Sequence, residues 1–133
     1  MKKLLAIVLL FSLILACNND DNANANVSLV GTWKLTETLV DPGDGSGTFI
    51  PVQSNKTVTF NNNETFTSNG NMCNLTLETA VMTSRNYSTS GNYFTSADCL
   101  SEEHQYNFTK TGNTLIVEYP CFEPCLAKFV KVN

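Results

Sequence analysis

The chain has 133 residues, 12 acidic side chains against 8 lysines and arginines, and a formal net charge of −4 at pH 7. Nucleic-acid binding needs a basic stripe, so we expect no nucleic-acid partner. The length fits one domain with a short tail. Threonine, valine, phenylalanine and tyrosine recur along the chain, and asparagine-rich turns separate them. This composition favours strands over helices.

The N-terminus carries two lysines, an apolar run over Leu4–Leu15, and the small residue Ala16 before Cys17. A positive start, a short apolar run and a small residue before a cleavage point predict a secretory signal peptide over residues 1–16. The run is too short and wrongly flanked for a membrane-spanning helix. The alternatives are a signal peptide that is followed by a cysteine by chance, and a cytosolic helix.

The run Ile14-Leu15-Ala16-Cys17 resembles the lipobox of bacterial lipoproteins. The resemblance implies that Cys17 becomes the mature N-terminus and carries a diacylglycerol and an N-acyl chain such as palmitate. The protein would then be anchored in the bacterial outer membrane and face the periplasm or the cell surface, because two or more acyl chains make anchoring stable. Residues 17–26 are polar and low in complexity, which predicts a flexible tether. Asp20 and Asp21 resemble the surface-export signal of lipoproteins in Bacteroidetes-type bacteria, and a plain acidic linker explains them equally.

Removal of residues 1–16 would leave 117 of the 133 residues and, with two lysines lost, change the net charge from −4 to −6. Four of the five cysteines then remain in a chain that leaves the cytoplasm. An even number in this compartment predicts two disulfides, and four cysteines allow three pairings. We expect Cys121–Cys125 across a tight turn and Cys73–Cys99 closing a long loop. The alternative is a four-thiolate metal site, although structural zinc usually shows two close cysteine pairs and this chain has one.

Residues 29–40 alternate with a period of two, which predicts a half-buried strand. Glu37 is the one charged residue on its apolar face. A buried carboxylate needs a partner, so Glu37 would pair with Lys128 or Lys131, or anchor the polar end of a ligand. The other residues of that face are Leu29, Gly31, Trp33, Leu35 and Leu39.

Residues 41–47 contain a proline and three glycines and predict a loop. Its two aspartates raise the alternative of a calcium site, but Pro42 and Gly43 interrupt the alternating ligands of a calcium loop.

Shorter strands with turns between them are predicted over the rest of the chain. Their inward residues include Val58, Phe60, Phe66, Tyr87, Tyr106 and Phe108, and one face of residues 72–81 carries Cys73, Leu75, Leu77 and Val81. Gly91-Asn92 breaks the weak strand over 83–94, and residues 96–103 predict a loop that holds Cys99. The predicted strands cover residues 56–61, 64–68, 72–81, 83–94, 104–109, 114–119 and 126–132.

These elements give an all-β domain over residues 27–133, with about eight strands and no helix. Sequential strands joined by tight turns favour a small up-and-down antiparallel barrel, because closure removes exposed sheet edges.

Gly31-Thr32-Trp33 matches the Gly-x-Trp signature of lipocalins at the first strand. Residues 29–35 also resemble the opening of the lipocalin-like domains in lipoproteins of Bacteroidetes-type bacteria, and residues 119–132 resemble their last hairpin. The resemblance implies a barrel whose closed end is covered by Trp33, with Gly31 allowing close backbone approach. A basic residue, Lys131 or Lys128, would cover the indole. Neither lysine is the arginine usual at this position, and we expect no C-terminal helix of the kind found in lipocalins.

The sequence holds one histidine, His104, after two glutamates. Asp98 and Ser101 lie near it along the chain, but no spacing indicates a nucleophile, base and orienting group. We therefore expect no enzyme, no cofactor and no metal site.

Two functional hypotheses remain. The first is a membrane-anchored, lipocalin-like lipoprotein that binds a small apolar or amphipathic ligand in the barrel mouth. The second is a protein-interaction lipoprotein with a filled core, such as a hydrolase inhibitor of the lysozyme type or an envelope accessory subunit, acting through loops 41–47 and 99–103. A cavity would favour the first, and large residues at every inward position the second. The expected ligand-lining residues are Leu35, Glu37, Val58, Phe60, Phe66, Tyr106, Phe108 and Val117.

Overall fold

The computed structural model describes residues 27–96, Cys99 and residues 104–133. The expected signal peptide, the lipidated Cys17 and the tether lie outside the described residues. In the described part, no helix is long and apolar enough to cross a membrane.

The described residues form an antiparallel barrel. The first strand pairs with the last, which closes eight strands into one sheet, and a short ninth strand lies beside the first. The expected all-β barrel is confirmed, although the short strand β2 was not predicted. The strands are β1 Gly31–Val40, β2 Ile50–Pro51, β3 Thr57–Phe60, β4 Thr65–Ser68, β5 Thr83–Ser88, β6 Tyr93–Ser96, β7 His104–Thr111, β8 Thr114–Tyr119 and β9 Cys125–Lys131.

The barrel interior is filled by aromatic side chains from alternate strand positions. Phe60 packs edge-on against Tyr87 with ring centroids 5.0 Å apart. Phe94 lies 4.8 Å from Phe66 and stacks on Tyr106 at 5.0 Å. Each large apolar side chain that is buried contributes about 1.5–3 kcal/mol, so this cluster is a main source of stability.

Trp33 covers one end of the barrel, which we call the closed end. Its side chain has no exposed surface, and its indole N–H donates to the Leu29 carbonyl at 2.8 Å. Gly31 has a φ of +127°, and a Cβ at this position would collide with the Asn133 carbonyl oxygen. The Gly-x-Trp pair therefore joins a close backbone approach to a buried, hydrogen-bonded indole.

A β-bulge interrupts β1. The pairing with β9 shifts between Leu35 and Glu37, so that Glu37 lies opposite Lys128 and Leu39 opposite Leu126. Cross-strand partners share a face, and Lys128 alternates with buried residues of β9. The expectation that Glu37 and Leu39 belong to the inner face is therefore wrong, because the extra residue of a bulge reverses the alternation beyond it.

The expected strand over residues 72–81 is also wrong. The chain there is irregular, with Leu77 and Val81 exposed and Met72 fully buried. The residues expected as one strand over 83–94 form β5 and β6, separated at the predicted Gly91-Asn92 break.

Candidate functional site at the barrel mouth

The end of the barrel opposite Trp33 is its mouth, formed by Val40 at the end of β1, Tyr119 at the end of β8 and Cys125 at the start of β9. Residues 69–82, which join β4 to β5, reach this end, and we call them the cap. The Tyr119 hydroxyl, on the far side of the barrel from β4 and β5, lies 3.8 Å from the Met72 Sδ. The cap therefore covers the mouth and places the buried Met72 side chain in the barrel interior.

Side chains and a disulfide hold the cap in place. The Thr83 hydroxyl donates to the Gly70 carbonyl at 3.2 Å and accepts from the Met72 amide at 3.3 Å. Cys73 pairs with Cys99, with 5.0 Å between their Cα atoms. These contacts tie the cap to the barrel at Gly70, Met72 and Cys73, although the cap is not part of the sheet.

Lys56 is the most unusual contact of the cap. Its side chain is 1% exposed, and its Nζ donates to the carbonyls of Asn71 at 2.5 Å and Thr76 at 3.0 Å. The same Nζ lies 5.9 Å from the centre of the Tyr119 ring. Burial lowers the pKa of the Lys56 ammonium to about 8, because removal from water penalises its charged form.

Two tyrosine hydroxyls occupy the same region of the interior. The rings of Tyr106 and Tyr119 lie 6.2 Å apart, and both side chains are almost fully buried. Among the described residues, the Tyr106 hydroxyl has no hydrogen-bond partner. Burial raises the pKa of both phenols, and that of Tyr119 is raised further by Tyr106. Both groups are therefore neutral donors at physiological pH.

A pocket of about 470 Å³ lies between the cap and the rim of the mouth. The disulfide Cys121–Cys125, with 6.0 Å between the Cα atoms, forms one wall. Asn71 and Thr76, whose carbonyls hold Lys56, belong to its lining. We call this space the mouth pocket. Its lining residues are Val40, Asn71, Asn74, Leu75, Thr76, Glu78, Val81, Cys121 and Cys125.

A family model for the lipocalin-like domain matches residues 29–119, a stretch that runs from the first strand to the end of β8. The chain belongs to this lipocalin-like family. No curated protein and no solved structure matches the chain. Proteins of the family are generally non-enzymatic, and a lipocalin-like barrel indicates a binding role.

All the residues expected to line a ligand site except Glu37 belong to the core of the lipocalin-like barrel. None of them lines the mouth pocket. Glu37 lies on the outer face, where its carboxylate accepts from the Lys128 ammonium at 2.6 Å. The buried members of the expected set are Leu35, Val58, Phe60, Phe66, Tyr106, Phe108 and Val117.

At the closed end of the lipocalin-like barrel, Lys131 rather than Lys128 lies over the indole. Its Nζ is 5.4 Å from the centre of the Trp33 ring and donates to the carbonyls of Ser28 and Val30 at 2.6 and 2.7 Å. This arrangement is structural, because it joins the segment before β1 to the end of β9.

The other candidate residues from the sequence, in the part of the chain that the structure describes, have structural roles. The Asp41 carboxylate accepts from the amides of Gly43, Gly45 and Gly47 at 2.7, 3.0 and 2.7 Å, which lowers its pKa and fixes the 41–47 loop. No group of acidic, histidine or cysteine side chains in the described part could hold a metal. The four cysteines form the two disulfides that we expected, and not a thiolate site.

Two more candidates lie in or beside the segment before β7. His104 packs edge-on against Tyr106 with ring centroids 4.9 Å apart. Of the 99–103 loop only Cys99 lies among the described residues, and Asp98 and Ser101 lie outside them.

The burial of Lys56 and Met72 was not predicted from the sequence. Parity along the strands could have indicated both. Lys56 lies two residues before the inward-facing Val58, and Met72 lies six residues after the inward-facing Phe66. An alternation of period two that continues over these residues turns both side chains inward. Lys56 was missed because a lysine is seldom buried. Met72 was missed because the strand expected over 72–81 grouped the odd-numbered residues on one face.

Proposed function

We propose that this lipocalin-like protein is an envelope lipoprotein that binds a small amphipathic ligand at the mouth of its barrel. Acylated Cys17 would hold it to the bacterial outer membrane, facing the periplasm or the cell surface. The lipobox-like Ile14-Leu15-Ala16-Cys17 supports the anchor. The mouth pocket supports the binding role and is the observation that carries it.

The shape and chemistry of the mouth pocket favour an amphipathic ligand. Its volume of about 470 Å³ lies within the range of small-molecule sites. Val40, Leu75 and Val81 offer apolar contacts, whereas Asn74 and Glu78 offer polar ones. The interior of the barrel fits a ligand less well, because aromatic rings pack against one another there.

The binding role is tested by calorimetric titration of the purified protein with 1-dodecanoylglycerol, a neutral amphiphile. Val81→Arg fills the pocket with a charged side chain, and we expect the affinity to fall about tenfold or more, which corresponds to about 1.4 kcal/mol. Val132→Arg is the matched control, because both valines are 58% exposed and Val132 lies at the closed end. Equal affinity of the two variants, or no binding by the wild type, would contradict the proposal.

The anchor is tested by mass spectrometry of the protein from membrane fractions. We expect the mass of a chain that begins at Cys17 with added acyl groups, and we expect Cys17→Ala to abolish the acyl groups. An unmodified chain that begins at Cys17 would leave an ordinary secretory signal as the explanation.

A second candidate function is protein interaction, as a hydrolase inhibitor or an accessory subunit of the envelope. It is favoured by the filled interior and by Phe122, which is fully exposed in the turn closed by the Cys121–Cys125 disulfide. An exposed aromatic side chain is a common anchor at interfaces. Glu118 and Glu123 nearby would suit a basic partner. Co-sedimentation with a basic hydrolase such as lysozyme, lost on Phe122→Ala, would support this function.

A further inference from the structure

The mouth pocket and the buried Lys56 are separated by one layer of the cap. Asn71 and Thr76 line the pocket, and the carbonyls of the same two residues accept the hydrogen bonds from the Lys56 Nζ. The ammonium therefore lies directly behind the residues that form part of the pocket wall.

Among the residues that the structure describes, Lys56 lacks the acidic partner that a buried ammonium normally has. Within the described ranges, no carboxylate lies at ion-pair distance from its Nζ, and its hydrogen-bond acceptors are two neutral carbonyls. A charged ammonium carries three N–H donors, and a carboxylate would add the attraction between opposite charges, which uncharged carbonyls do not supply. An anionic oxygen that reached Lys56 would replace these carbonyls favourably.

The nearby tyrosines have the same imbalance of donors over acceptors. The Tyr106 hydroxyl is buried and has no partner among the described residues, and the Tyr119 hydroxyl has a sulfur contact at 3.8 Å. Buried hydroxyls are nearly always hydrogen-bonded, so an unpartnered one indicates an acceptor that belongs to the site. We call Lys56, Tyr106 and Tyr119 the donor cluster.

We propose that the donor cluster is a headgroup site for an amphiphile with a carboxylate, whose apolar chain occupies the mouth pocket. The carboxylate takes the place of the Asn71 and Thr76 carbonyls on Lys56 and accepts from the Tyr106 hydroxyl, while the cap moves outward to admit it. This inference rests on the proposed function and adds the chemical class of the ligand to it.

The test compares two amphiphiles of equal chain length, dodecanoate and the neutral 1-dodecanoylglycerol, by calorimetric titration of the purified full chain. We expect the wild type to bind dodecanoate about tenfold or more tightly than the neutral compound. Tyr106→Phe should reduce the affinity for dodecanoate about tenfold and leave the affinity for 1-dodecanoylglycerol unchanged. The variant should fold, because the hydroxyl that it removes has no partner within the described residues.

Tyr87→Phe is the matched control. Tyr87 is also a buried tyrosine, but its hydroxyl donates to the Asn61 carbonyl at 2.7 Å. We expect this variant to keep the preference for dodecanoate, and we expect Lys56→Met to lose it. If both amphiphiles bind equally to the wild type, or if Tyr106→Phe keeps the preference, the headgroup site is refuted while the proposed function stands. If neither amphiphile binds, both proposals fail.

Discussion

Alkaline pH should stabilise this protein through Lys56. The amine is 1% exposed, and burial lowers its pKa from 10.5 to about 8 in the folded state. Between these two values the unfolded chain binds more protons than the folded chain, so the free energy of unfolding rises with pH. Loss of the proton leaves two N–H donors on the amine, which still satisfy the carbonyls of Asn71 and Thr76.

The size of this effect follows from the two pKa values of Lys56. A pKa of 10.5 in the unfolded chain and of about 8 in the folded protein makes the free energy of unfolding rise by about 2 kcal/mol from about pH 7 to pH 9.5. The comparison ends at pH 9.5 because, at higher pH, the tyrosines lower the free energy of unfolding. The raised pKa values of Tyr87, Tyr106 and Tyr119 mean that phenols ionise first in the unfolded chain, which lowers stability above about pH 10.

The assay is urea denaturation of the wild type and of Lys56→Met at several pH values, followed by far-ultraviolet circular dichroism. The difference between the two proteins isolates Lys56, because every other ionisable group is present in both. We expect the wild type to gain about 2 kcal/mol relative to the variant over the same pH range. A constant difference from about pH 7 to pH 9.5 would show that Lys56 keeps an ordinary pKa and is not desolvated as described.

Three further predictions concern the closed end and the first loop. Trp33→Phe should lower the free energy of unfolding by about 1–3 kcal/mol in urea titrations, because it opens a gap and leaves the Leu29 carbonyl without its donor. Gly31→Ala should lower the melting temperature more than Gly45→Ala, since both have a positive φ and only at Gly31 would the new Cβ meet other atoms; equal losses would contradict the close approach. Asp41→Asn should weaken the fall in melting temperature below about pH 4, because the lowered pKa of Asp41 gives stability that acid removes; parallel curves would refute this.

Strand alternation was sufficient to predict most of the barrel. Val58, Phe60, Phe66, Tyr106 and Phe108 all lie in the core where the period of two places them. The pattern works because each strand has one face on the core, so a shift by one residue would expose every apolar side chain.

The bulge in β1 could not be predicted in the same way. Its position depends on pairing with β9, where Thr36 donates through its hydroxyl to the Lys128 carbonyl at 3.2 Å. That contact spans 92 residues along the chain, and the ion pair of Glu37 with Lys128 beside it spans 91. The residues next to Glu37 in the sequence do not indicate such a distant partner, so alternation alone placed Glu37 on the wrong face of the sheet.

The cap escaped prediction for a related reason. Residues 72–81 alternate as a strand would, but the carbonyls of Asn71 and Thr76 bind Lys56 and are not part of a ladder. A tertiary partner has thus overridden the local pattern, as happens when a single strong contact competes with the strand propensity of a few residues.

The buried polar groups without suitable partners in the described residues are concentrated at one end of the barrel. At the closed end, Trp33 is buried with its donor satisfied. At the mouth, the described part of the chain combines a buried amine without an acid, an unpartnered hydroxyl on Tyr106 and an irregular cap. Each of these features costs stability when it stands alone, and natural sequences retain such conflicts mainly where function requires them. This difference between the two ends is the reason to look for the ligand at the mouth. Binding of a ligand there would account for the donor cluster, which packing alone does not explain.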